Sequence, residues 1–483
     1  MRTKAARAVS FLFLVAASAL AQLPTAAPTG NTSEEQTPAI GVTQTSLQDT
    51  FTGSGSVDRL VPGVIQLSLL DSIDRGLKHN LGLLLSQQQS EQARAQYRRQ
   101  LAGLLPNIVG NVSETVNQIN LAAFGIPLPP GLTSPVVGPF GVFDAHANMS
   151  AAVLDFNLLN RVRAASENEK AAKFTLQDAR ELVVLVVGNE YLLTVASAAR
   201  LDTAKAQFTT AQTIFQQTTD LKKAGVAAGI DVLRAQVQMQ TQQQRVLAAQ
   251  DQYERQRMTF ARTIGLPVSQ QFQLTDKVPY APLPPFDLEQ ALTQAYQHRP
   301  EYLAAESRTR AAELAVKAAK GEALPSVQLN GQLGAQGPAP GSSEMVYSLS
   351  GGVRIPIFQG GRVAADVAQA EAQLRQSKMQ LEDLRSRVEF EIRSALLSVK
   401  TSDDQVQVAR QQIDLAAEQL KEARDRYAAG VSGSLEVVQA QEAVAAANDN
   451  EIQALYLNNV AKLSLVRALG EAEQRTRSFL GGK

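Results

Sequence analysis

The chain has 483 residues with 46 Lys+Arg against 46 Asp+Glu, so it carries neither a basic footprint for nucleic acid nor an acidic surplus. Cys and Trp are absent and aromatics make up 5%, which excludes disulfide stapling and a lipid-modified N-terminal Cys and argues against an ordinary globular core. Ala and Gln dominate long stretches instead, a composition suited to thin, elongated helical packing.

At the N-terminus, Arg2, Lys4 and Arg7 precede an apolar run from Ala8 to Leu20, and Ala19-Leu20-Ala21 supplies a small-x-small cleavage pattern. Residues 1–21 read as a secretory signal peptide cut after Ala21, because the run is too short to span a bilayer. Residues 22–62, rich in Thr, Ser, Gly and Pro, are expected to form a flexible leader. No later apolar segment is expected to reach the ~20 residues of a transmembrane helix. The mature chain is therefore either soluble outside the cytoplasm or enters a membrane as β-strands.

Two copies of one unit follow, over 63–283 and 284–470, with a tail over 471–483. His79, Leu84, Ala93, Leu105 and Pro106 match His298, Leu303, Ala312, Leu324 and Pro325 at an offset of 219. Arg161, Val162 and Ala164 match Arg362, Val363 and Ala365 at 201, and Ala224-Gly225-Val226 matches Ala429-Gly430-Val431 at 205. Order and punctuation recur with period, the mark of a duplicated supersecondary unit.

The first unit opens with a helix expected over Gln66–Leu104, carrying Leu69, Ile73, Leu77, Leu81 and Leu84 at helical spacing and stopped by Pro106. Its counterpart is expected over Leu288–Leu324, stopped by Pro325. The rhythm then changes to period two, with strands near 107–121, 142–156, 326–334 and 345–357. Val327, Leu329, Gly331 and Leu333 alternate with Ser326, Gln328, Asn330 and Gln332, for example. Several of these strands have the 9–11 residues that a tilted transmembrane strand needs. A soluble hairpin packed on helices is the other reading of each strand pair.

Very long helices come next. Arg362 to Tyr427 contains no proline, and Val399, Val406, Ile413, Leu420 and Tyr427 recur every seven residues with Ala409, Ala416 and Ala423 interleaved. This is a close-packed coiled-coil seam, repeated by Leu201, Phe208 and Phe215 with Ala204 and Ala211. The change of offset from 201 to 205 inserts about one helical turn, so the second long helix is expected to be the longer. Each ends at its Ala-Gly-Val turn, and a shorter helix returns, with Asp231 or Glu436 in its first turn.

Four membrane strands cannot close a barrel, and an open edge in hydrocarbon leaves backbone groups unsatisfied at several kcal/mol each. Closed barrels begin at about eight strands. Several chains must pool their strands, and the expected object is an oligomeric tube, part β and part α.

At this point the residues resemble a known family. The tandem unit, the Leu-Pro ahead of each strand pair, the junction Ile357-Phe358-Gln359-Gly360-Gly361-Arg362 with its degenerate copy Phe156-Asn157-Leu158-Leu159-Asn160-Arg161, and the two Ala-Gly-Val turns are similar to those of TolC-like outer-membrane factors. The resemblance implies a mainly α fold whose long coiled-coil helices form a periplasmic α-barrel, with four strands per chain in a shared transmembrane β-barrel. It implies a homotrimer in outer-membrane lipid that serves as a passive exit duct for tripartite efflux or type I secretion, with a periplasmic adaptor and an inner-membrane transporter as partners. It assigns the adaptor-docking tip to Ala224, Gly225, Val226, Asp231, Ala429, Gly430 and Val431. It places Glu436 at the periplasmic aperture together with Gln439, which stands where relatives can carry a second acid.

Catalysis is not expected. The only histidines are His79, His146 and His298, no metal spacing occurs, and Gly360-Gly361-Arg362 lacks the Lys-Ser/Thr of a phosphate loop, so no metal, cofactor or nucleic acid is implied. Asp403-Asp404 reads as a solvated helix face. The competing functional reading is a soluble periplasmic coiled-coil scaffold without a pore.

Overall fold

The computed structural model describes residues 50–125, 134–276, 280–283 and 287–479. The expected signal peptide lies outside the described residues. The first copy of the unit runs β1 (Ile65–Leu67), α1 (Leu69–His79), α2 (Leu81–Ala102), β2 (Asn107–Asn120), β3 (Val136–Leu154), α3 (Phe156–Lys223) and α4 (Gly229–Thr263). β4 (Phe272–Leu274) lies in the connection, and the second copy runs α5 (Leu288–His298), α6 (Pro300–Gly321), β5 (Ser326–Gly337), β6 (Glu344–Arg354), α7 (Arg362–Ala428) and α8 (Ser434–Ala468), followed by α9 (Ala472–Phe479).

The first helix of each copy is broken, not continuous as the periodicity suggests. α1 starts late, behind a capping box in which Asp71 N donates to Ser68 Oγ (3.1 Å) and Ser68 N to Asp71 Oδ2 (3.2 Å). It stops at Asn80, which leaves the helical region at ψ 128° and caps α2 by accepting from Leu83 N. In the second copy Arg299 makes the same break at ψ 113°, because Pro300 pushes the residue before it out of the helical region.

The leader expected to be free over 22–62 is docked from residue 50 onward. Phe51 is buried, Gly55 N donates to His79 O at 2.8 Å, and Asp58 pairs with Arg75 at 2.5 Å. Asn80 ties this segment down: fully buried, its Nδ2 donates to Phe51 O at 2.5 Å.

The long helices are close to equal, 68 residues for α3 and 67 for α7, so the second is not the longer. α3 begins directly after Asp155, whereas residues 355–361 of the second copy stay out of the helix. At 1.5 Å per residue each spans about 100 Å.

The main core forms where α1, α3, α4, α7 and α8 meet. Val183, Val184, Val187, Tyr191, Phe260, Val388, Ile392, Leu465 and Leu469 are fully buried there. α3 thus contains a stretch that by length and composition alone passes for a membrane span, contrary to the sequence expectation, and it is spent on this core. Tyr191 meets Phe260 edge-on at 5.9 Å, and Phe260 meets Phe272 at 5.7 Å. β1 pairs in parallel with β4, joining the two ends of the first copy over this core. Asp403 is not simply solvated, since it accepts from Asn458 Nδ2 (3.3 Å). Next to it, fully buried Lys462 donates from Nζ to Ala281 O at 2.6 Å.

β2, β3, β5 and β6 form one antiparallel sheet in that order. β3 starts earlier than expected because it stays paired with β2 up to Asn120–Val136. β6 ends at Arg354, ahead of Pro356, which cannot donate to a ladder.

Asn80→Ala removes a helix cap and leaves the Phe51 carbonyl buried without its donor, a loss of about 1–3 kcal/mol. Denaturant titration of the purified protein is expected to show a lowered midpoint and earlier proteolysis around residues 50–62.

Candidate functional site

Two places differ from the packed middle of the chain: the turns at the ends of the long helices, and the four-stranded sheet. At the turns, Gly225 and Gly430 have φ of +78° and +71°, a left-handed conformation strained for any residue with a Cβ. Val226 N donates to Leu221 O (2.9 Å) and Val431 N to Arg426 O (3.0 Å), closing the last helical turns behind Ala224 and Ala429. Both valines project into solvent, 74% and 71% exposed. That is costly apolar exposure at the same place in both copies.

The two turns are joined to each other. Asp231, in the first turn of α4, accepts from Ser434 Oγ at 2.6 Å, and Arg234 stands 3.7 Å from the same carboxylate. Neither Ala228 nor Gly433 supplies a side-chain cap, so Asp231 is the negative group at that helix start. Glu436 faces Arg426 across the α7–α8 turn at 3.5 Å, and Gln439 is exposed. Ser434, buried between the turns, carries no signal in the sequence beyond its small polar side chain.

Above the turns the coiled-coil seam is in place. Val406, Ala409, Ala416 and Ala423 are buried, with Val437 and Ala440 of α8 closing over Ala423. In the first copy Leu201, Ala204 and Ala211 are buried, and Phe208 and Phe215 are half-buried. Glu442 of α8 then links the two helical hairpins. It accepts from Gln238 Nε2 (2.6 Å), Gln242 Nε2 (3.0 Å) and Arg245 (2.7 Å), all on α4. Burial pushes the Glu442 carboxyl up, but the hydrogen bonds and charge of Arg245 and the two glutamines outweigh it and hold it below the usual carboxylate range.

In the sheet, pairing sorts side chains by face. Ile108, Met149, Gly331 and Leu349 line up across all four strands, as do Val112, Ala145, Ala335 and Met345. The other face carries Asn107, Ser150, Asn330 and Ser350, and then Ser113, Asp144, Gln336 and Glu344. His146 sits on this polar face against Asp144. One apolar and one polar face suit a membrane barrel wall.

Glu322 holds the join between sheet and long helices. It accepts from Arg161 NH2 (3.1 Å), Arg362 NH1 (2.7 Å) and Asn157 Nδ2 (3.1 Å). The two arginines that mark the duplicated junction thus converge on one carboxylate, at a position where the first copy has Gly103.

A carboxyl depressed in the folded state stabilises above its unfolded pKa and loses that contribution as pH falls through its folded value. The α4–α8 link is therefore expected to hold at neutral pH and to loosen only as pH falls below the ordinary range of a glutamate carboxyl. Spin labels on α4 and α8 should show that separation in the unaltered protein, and Glu442→Gln should remove its dependence on pH.

The profile of the outer membrane efflux protein family matches residues 73–266 and 291–471, one segment in each copy of the unit. The outer membrane protein OprJ of Pseudomonas aeruginosa is 26% identical over 439 residues, covering 86% of this chain and 87% of OprJ. The pyoverdine export outer membrane protein OpmQ of Pseudomonas putida is 25% identical over 345 residues, covering 69% and 72%. Among solved structures, the outer membrane protein VceC of Vibrio cholerae shares the fold at a TM-score of 0.71 with 20% identity, covering 83% of this chain and 96% of VceC. The chain belongs to the outer membrane efflux protein family.

Proposed function

We propose that three copies of this protein form the exit duct of an export machine, pooling their strands into a twelve-stranded barrel and their helices into a periplasmic tube. The observation that carries this reading is the joining of an open four-stranded sheet, apolar on one face, to helices of about 100 Å. An outer-membrane protein of this family has its helices in the periplasm, and that length serves to bridge a gap, not to enclose a site. A soluble scaffold offers no account of the apolar sheet face.

The tip turns are the surface for a periplasmic adaptor. Support comes from Val226 and Val431, apolar side chains held out by left-handed glycines in both copies, and from the Asp231–Ser434 bond that sets the two turns side by side. Glu436 and Gln439 line the aperture, one carboxylate per chain, with Arg426 as its counter-charge. The duct performs no chemistry. Export energy comes from an inner-membrane transporter, which also selects the cargo.

Gly225→Val and Gly430→Val strain the turns by about 1–3 kcal/mol each without touching the sheet. Adaptor-dependent export from cells is expected to fall to the level of cells lacking the protein, while trimers persist on mild-detergent gels. Undiminished export with intact trimers would remove the turns from the docking surface.

A further inference from the structure

The bare edges of the sheet are β2 and β6. We infer that the sheet closes between copies with β6 of one chain against β2 of the next in a single register, in which Val353 lies beside Val112 and Gly352 beside Ser113. This rests on the pooled-sheet reading above and adds the pairing that reading leaves open.

The internal duplication provides the template. Leu105-Pro106 and Leu324-Pro325 place Asn107 of β2 equivalent to Ser326 of β5. Asn107 pairs with Ser150 and Ser326 with Arg354, so Ser150 of β3 is equivalent to Arg354 of β6. The seam between the two copies inside one chain is β3 against β5, where Ala145 faces Ala335, His146 faces Gly334, Asn148 faces Gln332 and Met149 faces Gly331. Moving that seam on by one unit puts Leu349 beside Val116, Ser350 beside Thr115, Gly352 beside Ser113 and Val353 beside Val112 of a second chain.

Two features of the side chains agree with this register. First, the faces match: Leu349, Val353, Val112 and Val116 all fall on the apolar face, and a slip of one residue would turn the valines of β2 onto the polar face. Second, Glu114 is a charged residue on the apolar face of β2, and the register sets it beside Gly351, whose missing side chain would meet nothing within 4 Å. A slip of two residues would put that carboxylate beside Leu349 or Val353.

Because the chain has no cysteine, paired cysteines report the register without background. Directly opposed Cβ atoms lie about 4.5–5.5 Å apart, close to disulfide reach. Double variants S113C/G352C and T115C/S350C, both on the polar face, should give disulfide-linked dimers and trimers when outer membranes are oxidised and run without reductant. S113C/S348C, shifted by four residues, should stay unlinked. Linking by S113C/S348C or N117C/G352C in place of S113C/G352C would overturn the register while leaving the pooled sheet standing. Unlinked chains that leave the membrane as monomers would overturn the pooled sheet and the register together.

Discussion

The fold depends on one constraint: backbone N–H and C=O groups in hydrocarbon must be paired. Among the described residues the antiparallel sheet has four strands, and the outermost two, β2 and β6, each leave one side of the ladder bare. At several kcal/mol per unpaired group, even a few such groups outweigh the roughly 5–15 kcal/mol that separates a folded domain from its unfolded state. The sheet is therefore a segment of a larger object. Duplication is the simplest way to make such a segment, because whatever joins the first copy to the second can also join the second to the first copy of another chain.

Below the sheet the stabilising contacts are unevenly distributed. Tyr191, Phe260 and their fully buried neighbours gather where five helices and the β1–β4 pair meet, and this region anchors the chain. Toward the turns the packing thins to an Ala seam, the small cluster of Ala423, Val437 and Ala440, and polar links through Glu442 and Asp231. Few buried apolar contacts mean low local stability. The end proposed to meet an adaptor is thus the end that deforms most readily. At the opposite end Glu322, held by Arg161 and Arg362, ties the starts of both long helices to the end of α6, so this join and the thinly packed turns lie at opposite ends of the same two helices.

Much of this was legible in the sequence because it is periodic. Strand alternation, the seven-residue seam and the paired Ala-Gly-Val turns each follow from a repeat that a single chain displays twice, and both turn glycines have the positive φ their position suggested. Local breaks were also written there: Asn80 is a good N-cap ahead of Leu81-Gly-Leu-Leu, and Arg299 precedes a proline, but the long apolar rhythm on either side masked them. What the sequence does not display are contacts between distant segments. Phe51 beneath Asn80, the three-residue pairing of β1 with β4, Glu322 beneath two arginines and Glu442 against α4 each join positions far apart in the chain. Single charged residues on long helices look solvated until the neighbouring helix is in place, and this was also so for Asp403.

Bare strand edges on a single chain set the most direct test: the mass of the particle that mild detergent extracts from the outer membrane. A pooled barrel predicts a homogeneous species of three chains that resists mild denaturant and leaves no monomeric fraction in the membrane. A stable single chain, extracted from the membrane with its strands still protected, would contradict it.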